Sequence, residues 1–148
     1  MNTKMLSLLD PMPWSELFLR LGCALLAGAV IGAEREGKDK PAGLRTNMLA
    51  SFGSAMFVLI SIQTGAAQQN LEVISRVIQG VVAGIGFLGA GTIMRHREIQ
   101  GLTSAAAVWV SASLGVAASC GLWQLSLAGA AITWLVLRVI ERFEKKVF

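Results

Sequence analysis

The sequence predicts an all-α, polytopic membrane protein with five transmembrane helices. Three observations carry that prediction. Apolar residues make up 54% of the 148 residues and charged ones only 15%, against about 25% charged in an average soluble domain. Mean hydropathy is +0.62. Apolar stretches long enough to cross a bilayer recur along the chain, and most of the charges gather between them. At about 1.5 Å per residue, a helix needs roughly 20 residues to cross a hydrocarbon core about 30 Å thick. The length is that of a single domain, residues 1–148, with no room for a separate catalytic one.

The first span is expected at about 14–33. Pro11, Pro13, Glu16 and Arg20 interrupt the run before Leu21, and Lys4 stands alone, so this start is no standard secretory signal. Arg20 sits within the span and is expected to snorkel outward, paired with Glu16 at i−4. The second span is expected at about 44–62 and the third at about 72–94. The third is rich in glycine: Gly80, Gly84, Gly86, Gly89 and Gly91. The fourth, at about 102–120, puts Ser104, Ser111 and Gly115 on roughly one face. The fifth is expected at about 123–139.

Orientation follows from lysine and arginine in the turns. Arg35, Lys38, Lys40 and Arg45 lie between spans one and two, and Arg95 and Arg97 between three and four. Arg138, Arg142, Lys145 and Lys146 lie at the C-terminal end, so ten of the thirteen basic residues share one side. That side is expected to be cytoplasmic, with the N-terminus outside. Trp14 and Trp123 fall at outer boundaries, where indole rings favour the interface. The net charge of +4 is no nucleic-acid signal, because it belongs to these turns. Cys23 and Cys120 both lie in apolar context and read as inert thiols, although sequence leaves a disulfide open.

Residues 84–89, Gly-Ile-Gly-Phe-Leu-Gly, match the dinucleotide fingerprint formally. That motif needs a preceding strand and a carboxylate about 20 residues later. Here it sits in an uncharged apolar segment, and Trp109 stands near the later position. Two membrane readings remain. Gly80 and Gly84 form a GxxxG step for close helix packing, with Gly28 and Gly32 of the first span as a matching surface. Alternatively the third span is a broken helix, a hinge whose free carbonyls line a polar cavity.

The cytoplasmic ends gather Glu34, Arg35, Arg45, Thr46, Asn47 and Thr103. Ionisable groups at this depth are candidates for a ligand path, while positive-inside anchoring explains the arginines equally well. Asn47, one turn inside, needs partners for its amide in lipid. Gly43-Leu44-Arg45-Thr46 and Gly101-Leu102-Thr103-Ser104 look alike. Each reads as a helix start with a hydroxyl near the cap. Spans one–two and three–four are therefore a candidate parallel duplication. Lone His96 reads as a solvated turn residue. The sequence holds no HExxH, no Cys/His cluster, no nucleophile elbow and no Walker lysine, so no enzyme is expected. No cofactor is expected, and a Mg²⁺ site lacks the converging carboxylates it needs.

Four motifs in this order resemble the MgtC/SapB family of bacterial inner-membrane proteins. They are Gly32-Ala33-Glu34-Arg35; Ala42-Gly43-Leu44-Arg45-Thr46-Asn47; Gly84 through Gly91; and Gly101-Leu102-Thr103 with Ala105, Ala106 and Trp109. The resemblance covers residues 16–120 and implies a five-span domain in the bacterial inner membrane. Many members carry a cytoplasmic C-terminal domain, which is not expected here. Members also tend to have a glutamine four residues before the glycine run; Gly80 holds that position, with Gln79 beside it. The family is associated with growth in low magnesium and, in some pathogens, survival inside macrophages. It is linked to regulation of other membrane proteins, including the F-type ATP synthase. The resemblance thus implies a regulator in magnesium homeostasis or envelope-stress adaptation. Its expected partners are the bilayer, other membrane proteins and further copies of itself. The alternative is an oligomeric Mg²⁺ or small-solute transporter.

Overall fold

The computed structural model describes residues 10–36, 41–95, 98–99 and 101–147. Lys4, Lys38, Lys40, His96 and Arg97, read above as turn and tail residues, lie outside the described residues. Five long helices cross: α1 Trp14–Arg35, α2 Leu44–Gln63, α4 Glu72–Ile93, α5 Leu102–Ser119 and α6 Trp123–Val147. A single turn, α3 Ala66–Gln69, interrupts the α2–α4 connection. Met94–Arg95 (β1) and Glu98–Ile99 (β2) form a two-residue antiparallel ladder between α4 and α5. The five spans stand where hydropathy puts them. The fifth span, Trp123–Ile140, ends one residue from the expected 139, and its helix α6 runs on to Val147. Hydropathy ends a span where charges begin, but a helix satisfies its own backbone in water as well as in lipid.

The bundle is built around α1, α2 and α5. Small residues let these helices touch. A Cβ at Gly28 would come within 2.7 Å of the Asn47 carbonyl oxygen, and one at Gly32 within 2.6 Å of the Leu44 Cα. A Cβ at Gly115 would overlap the Ser51 carbonyl. In lipid, helices gain little from apolar burial against one another, so such close approach and interhelical hydrogen bonds do the joining. Here Ser51 Oγ donates to the Ala24 carbonyl (2.7 Å) and Ser126 Oγ to the Leu114 carbonyl (2.9 Å). Helix α6 covers the seam of α1 and α5, where Ala27, Ile31, Ala107, Leu114 and Ala130 form one apolar cluster. Helix α4 rests on α5 and α2 through Ile85.

Each basic-turn hairpin has a glycine of its first helix against its second helix. Gly28 abuts Asn47, four residues after Gly43, and Gly89 abuts Ala105, four residues after Gly101.

At the opposite end, the segment before α1 is tied to the α2–α4 connection. Gln63 Oε1 accepts from the Met12 N–H (2.7 Å), and Gln68 Nε2 donates to Asp10 Oδ1 (2.7 Å). Arg20 departs from expectation in part. It pairs with Glu16, but it is buried and does not snorkel. Its Nη1 donates to the Ser119 carbonyl of α5 (2.7 Å). A carbonyl left over at a helix C-terminus suits a cation. Cys23 and Cys120 are free thiols, each half-buried.

The hydroxyl caps do not form. Neither Gly43 nor Gly101 starts its helix with a side-chain cap. Glu36 supplies the missing acceptor for α2: its Oε2 takes the Leu44 N–H at 2.6 Å. Gly101 has φ +85°, and a Cβ there would meet the Thr92 carbonyl oxygen at 2.5 Å. Gly101→Ala is therefore expected to cost about 1–2 kcal/mol for the left-handed backbone alone. An SDS-unfolding titration in mixed micelles would read that loss.

Candidate functional site

The structure brings together part of the predicted polar cluster and extends it. Asn47 is fully buried in the first turn of α2. Its Nδ2 donates to the Gly43 and Ala42 carbonyls (2.8 and 3.3 Å), and its Oδ1 accepts from Ser111 Oγ of α5 (2.8 Å). Every polar atom of the amide thus has a partner, as burial demands. Toward the basic end, Arg35 Nη2 donates to Ser104 Oγ (2.9 Å), again joining α1 to α5. Glu34, also buried, accepts from Arg138 Nη1 of α6 at 3.3 Å. These bonds tie α1, α2, α5 and α6 together.

Three predicted members fall outside this column. Arg45 and Thr103 are exposed, and Thr46, half-buried, takes no part in the bonds. The reason is helical phase. Residues 47 and 104 point inward, so their immediate neighbours 45, 46 and 103 turn away. Glu36 and Arg138 are additions. Arg138 reads from sequence as a cytoplasmic anchor, because it is the first charge at the end of the fifth span. Ser104 and Ser111, expected as packing residues, are hydrogen-bonding members of the column. Among the described residues, no three His, Cys, Asp or Glu side chains converge. Glu34 acts as an ion-pair acceptor and Glu36 as a helix cap.

The glycine-rich helix differs from its expected role. Helix α4 is continuous from Glu72 to Ile93, with no break or hinge. Lipid-exposed backbone has to bond to itself, which keeps a helix intact in spite of its glycines. Nor do most of these glycines pack within the chain. A Cβ at Gly80, Gly84, Gly86 or Gly91 would meet nothing within 4 Å; only at Gly89 would it touch a neighbour, Ala105 Cβ at 3.6 Å. Between α2 and α4 runs an open apolar groove of about 780 Å³, with Gly53 on one wall and Gly80 and Gly84 on the other.

Fold and site define a class: a multispan helical membrane protein with a packed, hydrogen-bonded polar column and one bare glycine-rich helix. The chain belongs to the MgtC family, whose model matches residues 21–146. It is 42% identical to Protein SrpB of Synechococcus elongatus, with 89% of this chain and 79% of that protein covered. It is 40% identical to the Putative magnesium transporter YhiD of Escherichia coli K12, covering 86% and 62% respectively. Against Protein MgtC of Salmonella typhimurium, identity is 46% over 76% of this chain and 46% of that protein. The chain thus spans less than two thirds of YhiD and of MgtC. No solved structure matches it.

Proposed function

We propose that this protein is a regulator in the bacterial inner membrane that contacts partner membrane proteins through α4 and serves magnesium homeostasis or envelope-stress adaptation. The supporting observation is the outward stripe Ala83, Gly86 and Ala90, all exposed, with open space beside Gly86. Small residues at this spacing let a foreign helix come close. The basic ends face the cytoplasm and the N-terminus faces out, by the distribution of arginine and lysine. The magnesium link rests on family membership and on the name of the YhiD relative. The F-type ATP synthase is the partner to examine first, by family resemblance.

Gly86→Leu is expected to lower growth in low magnesium and to remove the partner from pull-downs of membrane extracts. Leu135→Ala on bare α6 should do neither. Unchanged low-magnesium growth in Gly86→Leu cells, at normal protein level, would sink the regulatory reading.

A second reading, transport, draws on the buried Asn47–Ser111 pair and on the same relative's name. It requires selective ion flux in protein-containing liposomes, lost on Asn47→Leu. Liposomes as tight with the protein as without it would end it.

A further inference from the structure

Two helices of this bundle are equally bare, and their surfaces are opposite in kind. Only 11% of the spanning window of α4 is buried, and the same share of α6. The outer face of α6 is bulky: Leu125, Ile132 and Leu135 are each more than half exposed. That is what a helix presents to acyl chains. The outer face of α4 also exposes Val82, Phe87 and Leu88, but it adds Gly80, Ala83, Gly84, Gly86, Ala90 and Gly91, and such small residues suit the backbone of another helix. Elsewhere Gly28, Gly32 and Gly115 sit where helices meet, while Gly22 and Gly53 face open space, Gly53 on the groove wall opposite Gly80 and Gly84.

Helix α4 also has a register. Val73 and Val77, half-buried, and Gly80, Gly84, Phe87 and Gly91, exposed, recur at alternating steps of four and three. This is the spacing of a coiled-coil seam. The glycines of the seam are holes. Phe87 is a knob, 82% exposed. The charges at its start lie off the seam, and Arg76 and Glu72 satisfy each other at 3.1 Å. Nothing charged therefore has to be stripped of water and left unpaired when the seam closes.

We propose that this seam and the adjoining α2–α4 groove seat α4 of a second copy, giving a two-fold dimer about the membrane normal. Holes and knobs occur on one surface, as an isologous interface needs. Phe57 on the α2 wall stands at about the depth of Gly80. Ala50 clusters with Ile85 below it, and Val58 and Ile62 with Val77 above. In a two-fold dimer, groups of equal depth meet, so Phe57 of one copy faces the glycine hole of the other. The size also suffices. A helix of 22 residues with its neighbour gives a face of about 20 by 30 Å, or roughly 1,200 Å² for the pair, the lower range of specific interfaces. The dimer uses a different stripe of α4 from the partner contact at Gly86, so either can fail without the other.

The test uses purified full chain in phosphatidylethanolamine–phosphatidylglycerol vesicles at high lipid excess. With Cys23→Ser and Cys120→Ser in place, Gly84→Cys is expected to form disulfide-linked dimers on mild oxidation, several-fold more than Leu135→Cys on α6. Independently, the fluorophore-labelled parent chain should bleach in two steps per particle. Gly80→Leu with Gly84→Leu should bleach in one, with helix content by circular dichroism unchanged. One-step bleaching of the parent chain would mean that lipid fills the groove and would overturn the dimer. So would equal cross-linking at positions 84 and 135, or two-step bleaching that persists in the double variant. Cross-linking of Gly84→Cys in native membranes to a different protein alone would reassign the seam to that partner.

Discussion

Gly115→Ala is expected to destabilise the bundle by about 3 kcal/mol, the upper end for overpacking a close contact. The added methyl would land on the Ser51 carbonyl oxygen. Neither side can yield easily, because both are helix backbone and Ser51 is itself held by its bond to the Ala24 carbonyl. Helices α2 and α5 must separate, and that stretches the Asn47–Ser111 bond between them. Gly86→Ala should behave oppositely in the isolated chain. Open space surrounds that position, so the gain is helix propensity, up to about 1 kcal/mol. SDS-unfolding titrations of both variants in mixed micelles would check the sign. Equal effects at the two sites would show that Gly115 does not sit at the α2–α5 contact.

That contrast marks how far the sequence could be read. The five spans were legible because a bilayer imposes one length and one composition on any helix that crosses it. Gly28 and Gly32 were legible as packing residues for a similar reason. The glycines of α4 were not. Gly80-x-x-x-Gly84 has the same spacing whether its neighbour is a helix of the same chain, a helix of another or none, so the pattern marks a surface without naming what meets it. The same limit applies to the charges. Arg20 was legible as a partner for Glu16, four residues away. Its bond to the Ser119 carbonyl joins positions 99 apart, and no local pattern reports that. Arg138 reads as an anchor because it stands at the end of the hydropathic span, and its bond to Glu34 joins positions 104 apart, which no local pattern reports. The sequence points to Thr46 and not to Glu36, since a short motif favours a local hydroxyl over a carboxylate that folds back across the turn.

The bundle divides its work between two kinds of surface. Around α5, hydrogen bonds and glycine contacts fix α1, α2 and α6 in one arrangement. Helix α4 is held by apolar packing, through Ile74, Val77 and Ile85, and its bare faces are the ones suited to other proteins. A change in the first region should register as lost stability, and one in the second as lost association.

Asn47→Leu is expected to test that division most sharply. Leucine fills similar space but makes none of the three hydrogen bonds of Asn47. Interhelical hydrogen bonds in lipid average about 0.6 kcal/mol each, and a stranded buried group costs about 1–3 kcal/mol. The single variant should therefore lose about 2 kcal/mol. Ser111→Ala should lose about 1–3 kcal/mol, because it strands the buried Asn47 Oδ1. The double variant should cost less than the sum, because the Ser111 hydroxyl is no longer left stranded beside leucine. A strictly additive cycle would deny that the two side chains are bonded. Partner capture through α4 should survive in Asn47→Leu protein that still folds, because Asn47 bonds only within α2, its preceding turn and α5. Loss of capture with the helix content intact would place the partner's contact at the polar column and not on the glycine helix.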